Sequence, residues 1–394
     1  MAREELLAQG LHVAPDVAVG EGARVKAESG AVGAGVRLGA GSRIVCRHLV
    51  LEDGVQIGDD VELVATEVHL GRGASIAQGA RITVVGSFHL GRFSRLGPAT
   101  EVVARRVEVG DFLWGNGHVL IGGGGGLSPG AVLTMGDRCL LVDYTYVNLA
   151  DAVTIGHGTA LSYHVTVLTH GVWQPVLEGY GAKMAPVRLG DDVVIYSNST
   201  VLPGVTVGDG ATVGACSLVH RDVPPRCFAA GVPARVVRDA SEYPRRLTPA
   251  EKAQRVLDIL DRYVETLPYK GYEVRRNALH TEGEVVVEGP AGRFRLVWLP
   301  AGVEEVEGRL SRFLAVCQRE GAHPIVVSLS PLPVLGGATL LDLSRMAVMG
   351  GTDEVSEDLR DHLRRHGVRI FADRPFRALR PKALRDLLEW AGEG

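Results

Sequence analysis

The span HGVWQPVLEGYGAKMAP at 170–186 gathers His170, Trp173, Gln174, Glu178, Tyr180 and Lys183 into one short stretch. An imidazole titrates nearer neutral pH than any other unperturbed side chain, so His170 is the group there suited to general acid–base work. A histidine base needs its second ring nitrogen held in one tautomer. By position, Asn148, Asp151 and Glu178 are the candidates for that task, and Asn148 is carried forward as the partner. Trp173, Glu178 and Tyr180 are the side chains of the span expected to meet a substrate. A histidine that only caps a loop is the plainer alternative.

Other constellations compete with this one. His157, His164 and His170 lie within 14 residues of one another, and zinc chemistry requires three converging ligands with an open position. His157 and His164 follow aliphatic positions by two and three residues, so they are expected to be turn and outward-facing residues, and no metal is expected. Cys46, Cys139, Cys216, Cys227 and Cys317 are scattered with no CxxC pair and read as small buried apolar residues of a reducing compartment. The run IGGGGGLSPG at 121–130 lacks the lysine of a phosphate-binding loop. It reads as a bulged turn where chains pack closely.

These residues are interleaved with a repeat. Leu189, Ile195, Val201, Val207, Val213 and Val219 recur every sixth position, and two residues before each stand Val187, Val193, Ser199, Val205, Ala211 and Ser217, all small or β-branched. Leu149, Ile155, Leu161 and Val167 carry the same period, and looser copies end in Val32-Gly33, Leu38-Gly39, Ile57-Gly58, Leu70-Gly71, Leu90-Gly91, Val109-Gly110 and Met135-Gly136. Period six is neither the 3.6 of a helix nor the 2 of a simple strand. It fits a short strand plus a turn, three of which close one coil, with large aliphatics at the corners and Gly, Asp or Asn where positive φ is cheap. Glycine at 51 of 394 residues is about twice its usual share, and aromatics are only 5%, as a narrow column of stacked aliphatics demands. A β-sandwich would not hold six aliphatics at one interval. The period breaks after Val167 and resumes at Leu189, 22 residues on, so 170–186 is expected to be extruded as a loop.

From about Asp143 to Ala240 the chain resembles the hexapeptide-repeat, left-handed β-helix acyltransferases of the galactoside, maltose and xenobiotic O-acetyltransferase type. The resemblance rests on VRLGDDVVI at 187–195, VLPGVTVGDGATVGACSLV at 201–219, RDVPP at 221–225, AAGVPARVV at 229–237, and VTIG at 153–156 leading to LTHG at 168–171. It implies a left-handed coil and a matching histidine, His170, that deprotonates an acceptor. It also implies acetyl-coenzyme A as the acyl donor, with no metal required, and a sugar or other small molecule as acceptor. A homotrimer with the site between subunits follows from the same likeness. Ser197, Ala215, His220, Arg221, Arg235 and Arg238 match the coenzyme-binding positions, and an arginine fork suits phosphate. Tyr196 departs from the family by standing where the repeat prefers glycine, and Arg221 replaces a lysine. γ-Class carbonic anhydrases share this fold but resemble a different histidine spacing with an Arg-Asp pair that has no clear counterpart here. A non-catalytic β-helix scaffold is the third reading.

The period-six pattern ends by Arg246, so residues 1–245 are assigned to a mainly β, parallel β-helix domain and 246–394 to an α/β domain of unknown role. Thr248, Pro249 and Glu251 predict a capped helix start, with Ala253, Val256, Leu257, Leu260 and Val264 on its apolar face. Strands are expected at 285–287, 294–299, 325–329 and 368–371. A helix carries Val303, Val306, Leu310, Phe313, Leu314 and Cys317 and stops at Gly321; another carries Val355, Leu359 and Leu363 and stops at Gly367. The Asp and Glu residues of this domain are expected mainly on solvated helix faces. A formal net charge of −4 offers no nucleic-acid groove or membrane-seeking surface. Without an apolar leader or a run approaching 18 apolar residues, the reading is a soluble, cytoplasmic protein.

Overall fold

The computed structural model describes residues 3–276, 284–300, 306–333 and 336–391. The chain divides into two compact units, Met1–Arg245 and Arg246–Gly394.

In the first unit the strands of each coil pair in parallel with their counterparts one coil further along the chain. Three sheets result, which we call the first, second and third in the order the chain visits them, and they enclose a left-handed parallel β-helix. Leu189, Ile195, Val201, Val207, Val213 and Val219 each end a strand and are at most 2% exposed. The small residues two places earlier are buried with them, and Ser199 and Ser217 satisfy their hydroxyls on the Gly214 carbonyl. At the corners, aspartates tie one coil to the next. Asp209 accepts from the Asp191 amide and Asp191 from the His157 amide, at 2.9 and 2.7 Å. Such bonds satisfy backbone N–H groups that leave the ladder at each turn.

The strict register belongs to the last coils alone. Leu189 pairs with Val207, an offset of 18, whereas Val32 pairs with Leu51 and Leu51 with Leu70 at offsets of 19. One extra residue per coil blurs a six-residue period without disturbing the stack, because the ladders read pairing rather than sequence spacing. The ends of the column are closed. The helix Arg3–Ala8 seats Leu6 in the core at one end, and the antiparallel pair Phe228–Gly231 and Ala234–Arg238 extends the second sheet at the other. Four of the cysteines are buried as expected, but Cys216 is exposed: it occupies a corner with φ of +55°.

The second unit is a six-stranded mixed sheet, Glu273–Arg276, Glu284–Gly289, Gly292–Leu299, His323–Ser328, Thr339–Asp342 and Ala347–Met349 in spatial order. The helix Pro249–Thr266 starts at the Thr248/Glu251 capping box and buries Val256, Leu260, Tyr263 and Val264. The helix Val306–Glu320 buries Leu310, Phe313 and Cys317; Val303 lies outside the described residues. One expectation fails here, and another, that acidic residues lie mainly on solvated helix faces, breaks down in a single helix. Residues 368–371 join no sheet; the Ile370 carbonyl accepts from the Arg360 guanidinium at 3.4 Å. In the helix Glu354–Arg365 Glu354 is exposed, but Glu357, Asp358 and Asp361 are buried. Each is paired, to Arg360 and Arg374, to Lys270, and to Arg364 and Arg365 respectively. A buried carboxylate is tolerable only with such partners, and helical spacing alone does not reveal partners that arrive from distant segments. Among the described residues no helix is long and apolar enough to cross a membrane.

Candidate active site

Where the chain passes from the third sheet back to the first, it departs from the repeat twice. Ile155 pairs with Leu189 at an offset of 34, so the intervening coil extrudes a loop. Its stem is a short antiparallel pair, His170 with Met184 and Gly171 with Lys183. Two coils earlier, Gly122 pairs with Asn148 at an offset of 26, against 19 for Val102 with Ile121. There the glycine-rich run forms a second, smaller bulge. Asn148 closes the strand between them, so the bulge, Asn148 and His170 occupy successive coils of one edge. Neighbouring coils are separated by about 4.8 Å, the ordinary strand spacing.

Asn148 is fully buried, and its surroundings determine which way its amide points. The Nδ2 group donates to the Gly122 carbonyl at 3.0 Å and lies 3.4 Å from that of Gly124. An oxygen there would face carbonyl oxygens, so Oδ1 must be the atom turned to the imidazole. It stands 2.8 Å from Nδ1 of His170 and 2.7 Å from the Thr169 hydroxyl. A carbonyl oxygen only accepts, so Nδ1 of His170 carries the proton and donates it. The Nε2 lone pair is left free, which is the tautomer a proton acceptor needs. The other two candidates do not reach the ring. Asp151 accepts from the Ala152 amide, and Glu178 sits in a one-turn helix, Val176–Glu178, of the exposed loop.

Of the three loop residues expected to meet a substrate, the fold brings Trp173 to the imidazole, with ring centres 5.9 Å apart and planes 32° from parallel. Trp173 is 87% exposed, Glu178 and Tyr180 are also exposed, and Leu177 at the tip is 99% exposed. Sequence reasoning missed Gly124. A Cβ built on it would stand 3.5 Å from both Cε1 and Nε2 of His170. The glycine run is therefore a wall of this site, a role its sequence signalled only by interrupting the repeat one coil ahead of Asn148.

The positions matched to coenzyme binding fall into three places. Ser197 and Ala215 share the second-to-third edge, a different edge from that of His170, with Ser197 hydrogen-bonded to Ser162 at 2.9 Å. His220 and Arg221 follow the last strand of the third sheet, on the edge of His170 and two coils beyond it. Nδ1 of His220 is buried without a hydrogen-bond partner among the described residues. Arg235 and Arg238 are exposed on the terminal strand. Tyr196 is half exposed at the second-to-third edge. His157, His164 and His170 occupy three different edges, and among the described residues no group of three or more His, Cys, Asp or Glu side chains is placed to hold a metal ion.

Residues 186–221 match the bacterial transferase hexapeptide (six repeats) family. Over 97 residues the chain is 38% identical to a Bacillus subtilis (strain 168) protein classed with the acetyltransferases, covering 25% of this chain and 54% of that one. It is 32% identical over 134 residues to galactoside O-acetyltransferase of Escherichia coli (strain K12), covering 34% and 64%. The matched part thus spans about half to under two thirds of these relatives' lengths. Among solved structures, the hexapeptide-repeat acetyltransferase of Vibrio cholerae complexed with acetyl-coenzyme A is similar at 22% identity and a TM-score of 0.25, over 39% of this chain and 70% of that one.

Proposed function

We propose that this chain, which carries the bacterial transferase hexapeptide repeat at 186–221, transfers an acyl group from a coenzyme A thioester to a hydroxyl or amine of a small acceptor. The observation that carries the reading is the Asn148–His170 bond of 2.8 Å with the asparagine amide pinned by the Gly122 carbonyl. It leaves an uncommitted basic nitrogen at a half-buried edge, beneath an extruded loop. In the proposed reaction Nε2 takes the acceptor proton as the oxygen or nitrogen attacks the thioester carbonyl. The carbon–sulfur bond then breaks, and the proton passes from His170 to the departing thiolate.

The donor side is supported by a half-buried His220 whose Nδ1 lacks a hydrogen-bond partner among the described residues, and by three exposed arginines, Arg221, Arg235 and Arg238, of a type suited to phosphate. Ser197 and Ala215 lie on another edge from His170, so an extended donor touching all of them suits a groove between two copies. A homotrimer, in which each groove takes one edge from each neighbour, meets that requirement. The exposed indole of Trp173 favours an acceptor with an apolar ring face, as sugars have.

The test is release of free thiol from acetyl-coenzyme A in the presence of a panel of sugars and amines. His170→Ala should lower turnover by about two to four orders of magnitude. Near-normal turnover in that variant would remove His170 from the reaction.

A further inference from the structure

Four of the five glycines at 122–126 are required by the backbone. Gly122, Gly123 and Gly125 hold φ of +128°, +85° and +84°, and a Cβ on Gly126 would lie 2.6 Å from the Val103 carbonyl oxygen. Gly124 has no such requirement. Its φ lies outside the left-handed region, it is exposed, and the nearest atoms to an added Cβ are Cε1 and Nε2 of His170, both at an ordinary contact distance of 3.5 Å. An alanine there would fold without strain, and its methyl would cover the edge of the imidazole that carries the free lone pair. The loop bearing Gly124 is itself anchored to the orienting residue through the Gly122 carbonyl, so this wall and the ring are held in one frame.

We infer that Gly124 is a specificity-determining residue: its missing side chain keeps the Nε2 edge of His170 open to a hydroxyl carried on a ring, the bulky class of nucleophile. The inference rests on the reading of His170 as the base. The exposed Trp173 indole, 5.9 Å from the imidazole, supplies a face for such a ring, while Gly124 sets how closely its substituents pass the nitrogen. A methyl group in that gap obstructs a secondary hydroxyl flanked by ring carbons far more than it obstructs a compact nucleophile.

Two measurements on Gly124→Ala test this in the full chain. The first is carbethoxylation of His170 by diethyl pyrocarbonate, followed by peptide mass spectrometry with the exposed His157 and His164 as internal standards. Modification of His170 alone should slow several-fold; an unchanged rate would overturn the inference. The second compares acetyl transfer to an alkyl hexoside and to hydroxylamine. The ratio of their kcat/KM values should shift against the hexoside by about ten-fold or more, the usual effect of one added methyl in a binding site, with the KM for acetyl-coenzyme A unchanged. Equal effects on both acceptors would also overturn it. Should His170→Ala retain full transfer, the reading of the base fails, while the carbethoxylation rates still report whether residue 124 covers the ring.

Discussion

A buried asparagine with its amide turned by two backbone carbonyls leaves the neighbouring imidazole one tautomer. That arrangement separates the role of Asn148 from that of His170. Asn148→Ala keeps the base but releases its orientation, so kcat should fall by about 10- to 100-fold, less than for loss of the imidazole itself. The KM for acetyl-coenzyme A should stay the same. Steady-state kinetics on both substrates check this, and an Asn148→Ala enzyme with unchanged kcat would deny the asparagine its positioning role. His170 was legible in the sequence because it stands where the six-residue period stops. Asn148 was one of three candidates, and the choice among them needed coordinates: one coil's distance along the chain places several polar residues near a ring, and only the direction of a carbonyl oxygen distinguishes them. Gly124 was not legible, since nothing in a glycine run tells which member faces a neighbouring coil.

Elements add a different lesson. The extruded hairpin at 170–186 and the bulge at 122–130 both appear in the sequence as breaks in a period, and both emerge on the same edge of the β-helix. The helix Glu354–Arg365 misled, because its charges look like a solvated face and are a buried ionic layer. Within it His362 is held far below the ordinary histidine range, to about 4, by burial first and then by the charges of His366, Arg365 and Lys270. A group whose folded pKa is depressed in this way is neutral when folded yet takes a proton when unfolded. Stability is therefore full above about pH 6.5 and is lost as the pH falls toward 4. The loss should reach on the order of 3 kcal/mol for the second unit. Denaturant midpoints measured at pH 7 and pH 4.5 check it, and His362→Gln should flatten the slope. An unchanged slope in that variant would place the acid sensitivity elsewhere.

At the scale of the whole molecule, the two units have separate apolar cores. One runs continuously from Leu6 to Ala229, and the others lie entirely beyond Arg246. A column whose coils each contact only their neighbours gains its stability by nearest-neighbour stacking. Residues 1–245 expressed alone should therefore fold and reproduce one melting transition of the full chain. Calorimetry on both proteins checks this, and an aggregated or non-cooperative fragment would show that the β-helix depends on the second unit. What that unit contributes to the proposed reaction would then be read from the fragment's kinetics.

Local spacing was enough to specify the β-helix, the loop break and the capped helix at Thr248, because a six-residue period and a capping box are written in neighbouring residues. Which residues share an edge was decided by pairing between coils 16 to 34 residues apart, and the offsets vary with every insertion. The tautomer of His170, the open face at Gly124 and the buried charges around Arg360 depend on atoms brought together across those offsets. Hydrogen bonding and desolvation act through space, so only the folded chain could decide them.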